Sequence, residues 1–546
     1  MTVTLGYNNR MSSETKEALS LPIQDLVAYL GHVAADVEDA RPSAEAEPFF
    51  LSKISDRASV LYEKIRGAVD NKEEHFLRRH AIRRVVKRIG WLSADPQKIA
   101  ETLIAELYRG GHLSRRHVSR QALSDVEGSI AAFLSLSNAV RASFAVPEFL
   151  RLRILLLDII AGAIEDRIYS TYNEEAVVQT LARGALGSLH GDFRAYAEET
   201  MRTLVYFAAW RSMFGADRSL LAYKLWMLEN MHWETVSQGD MLALGRRFAS
   251  FAKRAQRLSG HPFIERLAPR MHNHATAMMV IYGMIKRYRF GVGTIMEDPA
   301  QFEHHVRETI TAMYRRDITR ALRRSWRALL YIFVTKGLVL LLASSLYLSA
   351  SRGETLDPFV LGVNLFFHPI LLFLITRGLV PPEKANTDRL VALINAIVYG
   401  KEFPPVTVQS GKRGVLGDIA LAFYIVILSG MLVGTTSLLE RLEFHAVDVA
   451  SFIVFLVLVV YFGFRIRYTA RRMELLGGRE GFFRSLVELA SLPLVSIGRW
   501  LVTKFERLNV VAIFLDFFIE LPLKLLFDFF DSFSRLLREK KEEIYS

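Results

Sequence analysis

ALLYIFVTKGLVLLLASSLYL, running from Ala328 to Leu348, stays apolar on every helical face and carries a single charge, Lys336. About 20 such residues cross about 30 Å of hydrocarbon as a helix, and helices of water-soluble proteins rarely stay apolar all round for so long. Three more stretches share this character: FVLGVNLFFHPILLFLIT (Phe359–Thr376), VLGDIALAFYIVILSGMLVGTTSLL (Val415–Leu439) and VASFIVFLVLVVYFGF (Val449–Phe464). The sequence therefore reads as four transmembrane spans, 328–348, 359–376, 415–439 and 449–464, within a transmembrane domain over 328–466.

Flanking charge orients these spans. Arg315, Arg316, Arg320, Arg323, Arg324 and Arg327 precede the first, whereas the next loop holds only Arg352, offset by Glu354 and Asp357. Arg377, Lys384, Arg389, Lys401, Lys412 and Arg413 fill the loop after the second span, and only Arg441 lies in the loop after the third. Arg465, Arg467, Arg471, Arg472, Arg479 and Arg484 follow the fourth. Positive charge collects on the cytoplasmic side of membrane proteins, so both ends are expected there, with a multi-pass chain in a bacterial inner membrane. The opening MTVTLGYNNRMSSETK has no apolar core of a signal peptide and agrees with that orientation.

Composition fits a mixed molecule of 546 residues: 51% are hydrophobic, yet 23% are charged, and the net charge is +12. The mean hydropathy is +0.19. Topogenic arginines and contact with anionic lipid headgroups account for the basic excess more simply than nucleic acid, which is not an expected partner. The chain has no cysteine, which excludes disulfides, thiolate metal sites and cysteine nucleophiles.

The expected architecture is all-α. A loose N-terminal segment (1–48) leads into a cytoplasmic helical domain (49–290), a basic juxtamembrane stalk helix (298–327), the four-helix transmembrane region and amphipathic membrane-associated helices at the C-terminus (482–546). Asp95-Pro96 and Asp298-Pro299 each place a side-chain acceptor before a proline at a helix start. Ile99, Leu103, Ile104 and Leu107 then line one helical face, and Leu220, Leu221, Leu225 and Leu228 line another after Asp217. Tyr206, Phe207, Trp210, Phe214, Trp226 and Trp233 are core candidates. Gly291 and Gly293 read as a flexible joint ahead of the stalk.

The search for chemistry finds little. There is no H-E-x-x-H, P-loop, dinucleotide fingerprint or nucleophile elbow, so neither a catalytic residue nor a metal or cofactor is expected. His272 and His274, two apart on a helix, point to different sides and make poor co-ligands. Lys336 lies about eight residues into the first span and His368 about nine into the second, one turn from Asn364, so these polar groups approach the midplane, where ionisable groups are costly and face bundle interiors. Arg316, Arg320, Arg324 and Arg327 fall on one side of the stalk, and Arg79, Arg83 and Lys87 on the polar face of RRHAIRRVVKRIG (78–90); both sets are candidate contacts for anionic lipid. In the loop after the second span, TDRLVALINAIVYG (387–400) reads as a short helix on the membrane surface.

A fifth span at Leu508–Phe530 is rejected. Asp516, Glu520, Lys524 and Asp528 recur every four residues there, and each charge costs about 2.5–3.5 kcal/mol at a helix centre, more in total than the apolar residues return. Such a helix lies in the headgroup region. The expected function is that of a membrane-anchored, non-enzymatic scaffold or interaction protein, with the bilayer, an unidentified protein bound by the 49–290 domain, and a homo-oligomer as the partners considered. The competing expectation is a transporter or channel component built around Lys336, Asn364 and His368.

Overall fold

Side-chain capping fixes several helix starts. Asp95 Oδ1 accepts from the Gln97 N–H at 3.1 Å, Asp217 Oδ1 from Leu220 N–H at 3.0 Å, and Asp298 Oδ1 from Ala300 N–H at 3.0 Å. Each bond satisfies a backbone donor that the helix itself leaves orphaned. The structure, a computed structural model, describes residues 19–39, 74–89, 95–109, 112–113, 120–169, 171–191, 196–350, 358–377, 382–408, 415–444, 446–475 and 491–501.

These residues are predominantly α-helical. The helices are α1 (Leu21–Asp39), α2 (Glu74–Ile89), α3 (Pro96–Arg109), α4 (Arg120–Ser143), α5 (Val146–Tyr169), α6 (Tyr172–Gly187), α7 (Glu198–Phe214), α8 (Arg218–Glu229), α9 (Gln238–Ser259), α10 (Pro262–Arg270) and α11 (His272–Tyr288). Then come α12 (Val292–Met296), α13 (Pro299–Ala350), α14 (Pro358–Arg377), α15 (Lys384–Tyr399), α16 (Val415–Arg441) and α17 (Ala446–Ala470). Residues 491–501 are also helical. The described strands are β1 (Leu189–Gly191) and β2 (Val406–Val408), paired in parallel with Leu189 opposite Val406.

The chain divides into two compact units. The first takes Met1–Arg316, Pro381–Gly411 and Arg472–Gly478; the second takes Asp317–Val380, Lys412–Arg471 and Arg479–Ser546. The first is therefore built from three separate pieces of chain, which the expected 49–290 boundary did not include.

In the first unit α9 packs along α4, α4 and α2 lie against α5, and α6 packs on α7. Phe207, Trp226, Trp233, Phe248 and Phe263 are among its largest fully buried side chains. Trp226 meets Trp233, Phe248 and Phe251 edge-on, an arrangement suited to the ring quadrupoles. Phe302, Val306, Ile310 and Tyr314 of α13 recur every four residues and enter the same core.

Several expectations need correction. Residues 21–39 of the segment read as loose form α1, because Ile23, Leu26 and Leu30 share one face and are buried in the core. Gly291 closes a 3-10 turn and Gly293 lies in α12, so the joint is regular structure. The helix in the loop after α14 does not lie open at a surface: α15 buries Leu390, Val391, Ile394 and Ile397 in the first unit's core and packs against α11.

In the second unit α14 packs along α17, and α16 against α17. Ser325 of α13 donates to Thr376 of α14 at 2.7 Å, and Thr376 donates to the Leu372 carbonyl at 2.8 Å. In the 491–501 helix, Leu494 is buried against Val457 and Val460, while a Cβ on Gly498 would lie 2.4 Å from Tyr461 Cβ. Glycine there permits the close approach. The rest of the expected C-terminal amphipathic region lies outside the described residues.

Among the described residues one helix, Asp448–Ala470, rather than four, is long and apolar enough to cross a membrane, with mean hydropathy 2.4; Gly362–Arg377 is apolar but shorter. Most of the side chains of the first expected span, including Lys336, and those at the start of the third lie outside the description.

Candidate functional site

The three pieces of the first unit are tied together by polar side chains. Asn386 of α15, 3% exposed, donates through Nδ2 to Tyr314 Oη at 2.9 Å and to the Met473 carbonyl at 3.1 Å. Its Oδ1 accepts from the Leu475 N–H at 2.9 Å. A buried carboxamide so fully satisfied fixes one arrangement of α13, α15 and the 473–475 segment. Arg307 pairs with Asp388 at 2.7 Å, and Tyr399 Oη donates to the Met296 carbonyl at 3.0 Å. Ser20 donates its backbone N–H to Val398 O and its hydroxyl to Ile397 O, each at 2.7 Å.

The two histidines that sequence reasoning dismissed as co-ligands do serve different sides, and each anchors a different returning piece. His274 Nε2 lies 3.1 Å from the Pro404 carbonyl, and His272 Nε2 lies 3.2 Å from the Glu474 carbonyl. Burial holds the His274 imidazole below its ordinary value, against the raising effect of its bond to Pro404. The ring stacks on Phe403 with centroids 5.5 Å apart. Phe403 in turn fills the space over Gly184, where a Cβ would come within 2.3 Å of its ring.

A buried charge cluster lies on α5 to α8. Lys224 Nζ stands 3.4 Å from Asp166 Oδ2, 3.2 Å from Glu175 Oε2 and 4.7 Å from the Trp210 ring centre. Tyr223 Oη donates to Asp166 at 2.7 Å, and Tyr206 Oη donates to Glu175 at 2.6 Å. Burial alone pulls the Lys224 ammonium down, but Asp166 and Glu175 outweigh it and hold the group above its ordinary value. Burial pushes both phenols up, reinforced chiefly by Glu175 at Tyr206 and by Asp166 at Tyr223. A lysine nucleophile needs a lowered pKa. Lys224 is instead a fixed cation between two anions, and the cluster locks helices together.

The basic helix α2 is docked by its arginines. Arg79 is buried, bonding Glu165 at 3.0 Å and Asp217 at 3.3 Å, and Arg83 pairs with Asp158 at 2.7 Å. Arg79 is therefore an internal ion-pair partner, which corrects its assignment to a lipid-facing surface; Lys87 is exposed. Arg79 was misread because helical periodicity marks the apolar face but not what the flanking polar residues meet. On α13, Arg316 and Arg327 are exposed while Arg320 and Arg324 are half-buried, so the exposed face runs through Arg315, Arg316, Arg323 and Arg327.

Asn364 and His368, one turn apart on α14, are both buried, at 1% and 0% exposed. His368 Nε2 lies 3.0 Å from the Phe452 carbonyl of α17, and its ring meets Phe452 edge-on at 4.6 Å. This pairing joins α14 to α17. Asn364 Oδ1 is buried with no hydrogen-bond partner among the described residues. The structure thus brings Asn364 and His368 into one seam, whereas the Lys336 side chain lies outside the description. No group of three or more histidine or acidic residues able to hold a metal ion occurs among the described residues. Comparison with protein-family models, curated proteins and solved structures found no match to the chain.

Proposed function

We propose that the chain is a polytopic membrane protein with four spans whose first unit is a cytoplasmic, non-enzymatic scaffold. One observation carries the reading: Pro381–Gly411 and Arg472–Gly478 share a compact unit with the residues before Asp317. Chain that leaves that unit and returns to it twice must cross a bilayer an even number of times on each excursion. Two crossings per excursion match the alternation of arginines and lysines in the sequence.

The second unit's surface supports it. Phe366, Ile370 and Leu374 of α14 are 52%, 55% and 56% exposed, and Val426 and Val433 of α16 are 68% and 65% exposed. Large apolar side chains in such numbers on helix exteriors fit a hydrocarbon environment. The interaction role rests on the first unit, which combines a locked charge network with a large all-helical surface and no group poised for catalysis among the described residues.

The absence of native cysteine makes the topology testable. A cysteine at Ser351 labels with a membrane-impermeant maleimide from outside intact cells, and one at Ser410 labels only after permeabilisation. The reverse pattern would overturn the orientation, and equal labelling at both would remove the four-span reading. A specific protein retained on the purified chain through residues 49–290 supports the scaffold role. A second reading, a transporter or channel component, is favoured by one observation, the unpartnered Asn364 Oδ1. Ion flux in proteoliposomes that is lost in Asn364→Leu would support it over the scaffold.

A further inference from the structure

Helix α9 turns one line of side chains into the first unit and leaves another exposed without carboxylates. Met241, Gly245, Phe248, Phe251 and Ala255 are buried, and Gly245 lets the helix approach α4, where a Cβ would lie 2.7 Å from Ala139. Leu242, Arg246, Lys253 and Arg257, spaced four, seven and four residues apart, share the opposite, exposed line. Arg247 and Arg254 are exposed beside it. Asp240 is the one acidic residue of α9, and the Ser237 hydroxyl donates to it at the first turn at 2.7 Å. Beyond that turn the helix carries five cations and no carboxylate.

Exposed arginines elsewhere on the first unit find acidic partners: Arg183 pairs with Asp25, Arg202 with Glu198 and Arg287 with Glu308. On α9 Arg254 meets Glu229, but among the described residues no ion pair engages Arg246, Arg247, Lys253 or Arg257. Lys253 and Arg257, four apart, repel each other instead. Arg218 of α8, also exposed, brings its guanidinium within 3.5 Å of where a Gly260 Cβ would stand, adding a cation at the end of α9. A second observation is apolar. Leu242 is exposed one turn before Arg246, and Leu228 and Met231 are exposed on either side of Glu229, the partner of Arg254.

We infer that the exposed face of α9 docks an acidic, amphipathic segment of a partner protein. Carboxylates of the partner meet Arg246, Lys253 and Arg257, and its apolar side chains cover Leu242, Leu228 and Met231. Apolar anchors beside complementary charge are the chemistry of a protein interface. Nucleic acid is matched less well, because the exposed side of α9 offers no aromatic ring on which bases could stack. A bilayer asks for a broad apolar face, whereas Leu242 stands alone among the cations of its line. The inference rests on the scaffold reading and gives it a partner chemistry and a surface.

The test uses the full-length chain in mild detergent, with the detergent alone as blank. Fluorescence anisotropy follows a labelled peptide with glutamates on one helical face and leucines on the other, and its glutamine counterpart. The wild type binds the glutamate peptide more tightly, and added salt weakens that binding. The double variant Arg246→Gln/Lys253→Gln binds it about tenfold more weakly, the loss of two exposed charge contacts. Arg183→Gln/Arg202→Gln, which removes the same charge from α6 and α7, binds as wild type does, and so does Arg246→Lys. Leu242→Ser weakens binding without altering its salt dependence. Equal affinity of wild type and Arg246→Gln/Lys253→Gln overturns the site. So does tighter binding, through the same two residues, of a polyuridine oligonucleotide or of phosphatidylglycerol added to the micelles. Retention of a specific protein through residues 49–290 separates the two ideas. A protein held equally by wild type and double variant overturns the α9 face and leaves the scaffold reading standing. If the wild type holds none while the peptide still binds through Arg246 and Lys253, the scaffold reading falls and the face is supported.

Discussion

Asp158 shows how burial and pairing compete at a single carboxylate. Burial pushes it up to about 6 from 3.8, against the lowering effects of Arg83 and a hydrogen bond from Ser219. The folded chain therefore holds this proton more tightly than the unfolded chain does. Its contribution to stability is fully present below pH 3.8 and is lost as pH rises through about 6. The amplitude is about 3 kcal/mol. Thermal unfolding of the purified protein between pH 4 and 7 should show this loss in the wild type and not in Asp158→Asn; parallel profiles would place Asp158 among ordinary ionised carboxylates. None of this was legible in the sequence, where Asp158 is one of four acidic residues of α5. The docking of α2 by Arg79 and Arg83 was hidden for the same reason: an ion pair between residues some 75 positions or more apart leaves no local pattern.

At the scale of elements, periodicity and caps read well. Asp95, Asp217 and Asp298 cap the helices that their sequence context announced, and α13 runs unbroken from Pro299 as the lack of glycine and proline before Gly337 implied. Ile82, Val85, Val86 and Ile89 of α2 are buried as their spacing required. The docking of elements read poorly. An amphipathic helix such as α15 shows an apolar face but not its partner, and a bilayer surface and a protein core ask for the same face. The decisive contacts are side chain to carbonyl, as with His274 to Pro404 and Asn386 to Met473, and a carbonyl has no identity in sequence. Gly184 tests how α6 receives the 403–408 piece. Gly184→Ala places a methyl group into the Phe403 ring and should cost about 2–3 kcal/mol in thermal unfolding, an overpacking penalty. Adding Phe403→Ala should cost less than the sum of the two single changes; strict additivity would mean that the two sites do not touch.

For the whole molecule, the sequence supplied the alternation of charge and the structure supplied the return of the chain to its first unit. The first leads to an expectation of paired crossings, and the second shows three pieces of chain gathered in one unit. The first unit's boundaries were not legible, because its second and third pieces are short and lie between stretches whose apolar character dominates any local reading. Its core holds Val406, Met473 and Leu475 beside helices that begin at residue 21.

That discontinuity bears on how the protein is made. A ribosome delivers α1 to α12 long before Asn386, and Met473 and Leu475 later still, so the first unit cannot close its core while the segments between are still emerging. Completion of the fold thereby reports that every intervening segment has been produced and seated. A chain stopped after Arg377 should remain open to limited proteolysis within residues 262–316, whereas one extended to Gly478 should become resistant. Equal resistance of the two would show that the early helices mature alone. Resistance gained only by the longer chain would make Asn386, bonded to both a preceding and a following piece, a checkpoint in biogenesis, distinguishing finished molecules from truncated ones by the stability of a unit far upstream of the missing residues.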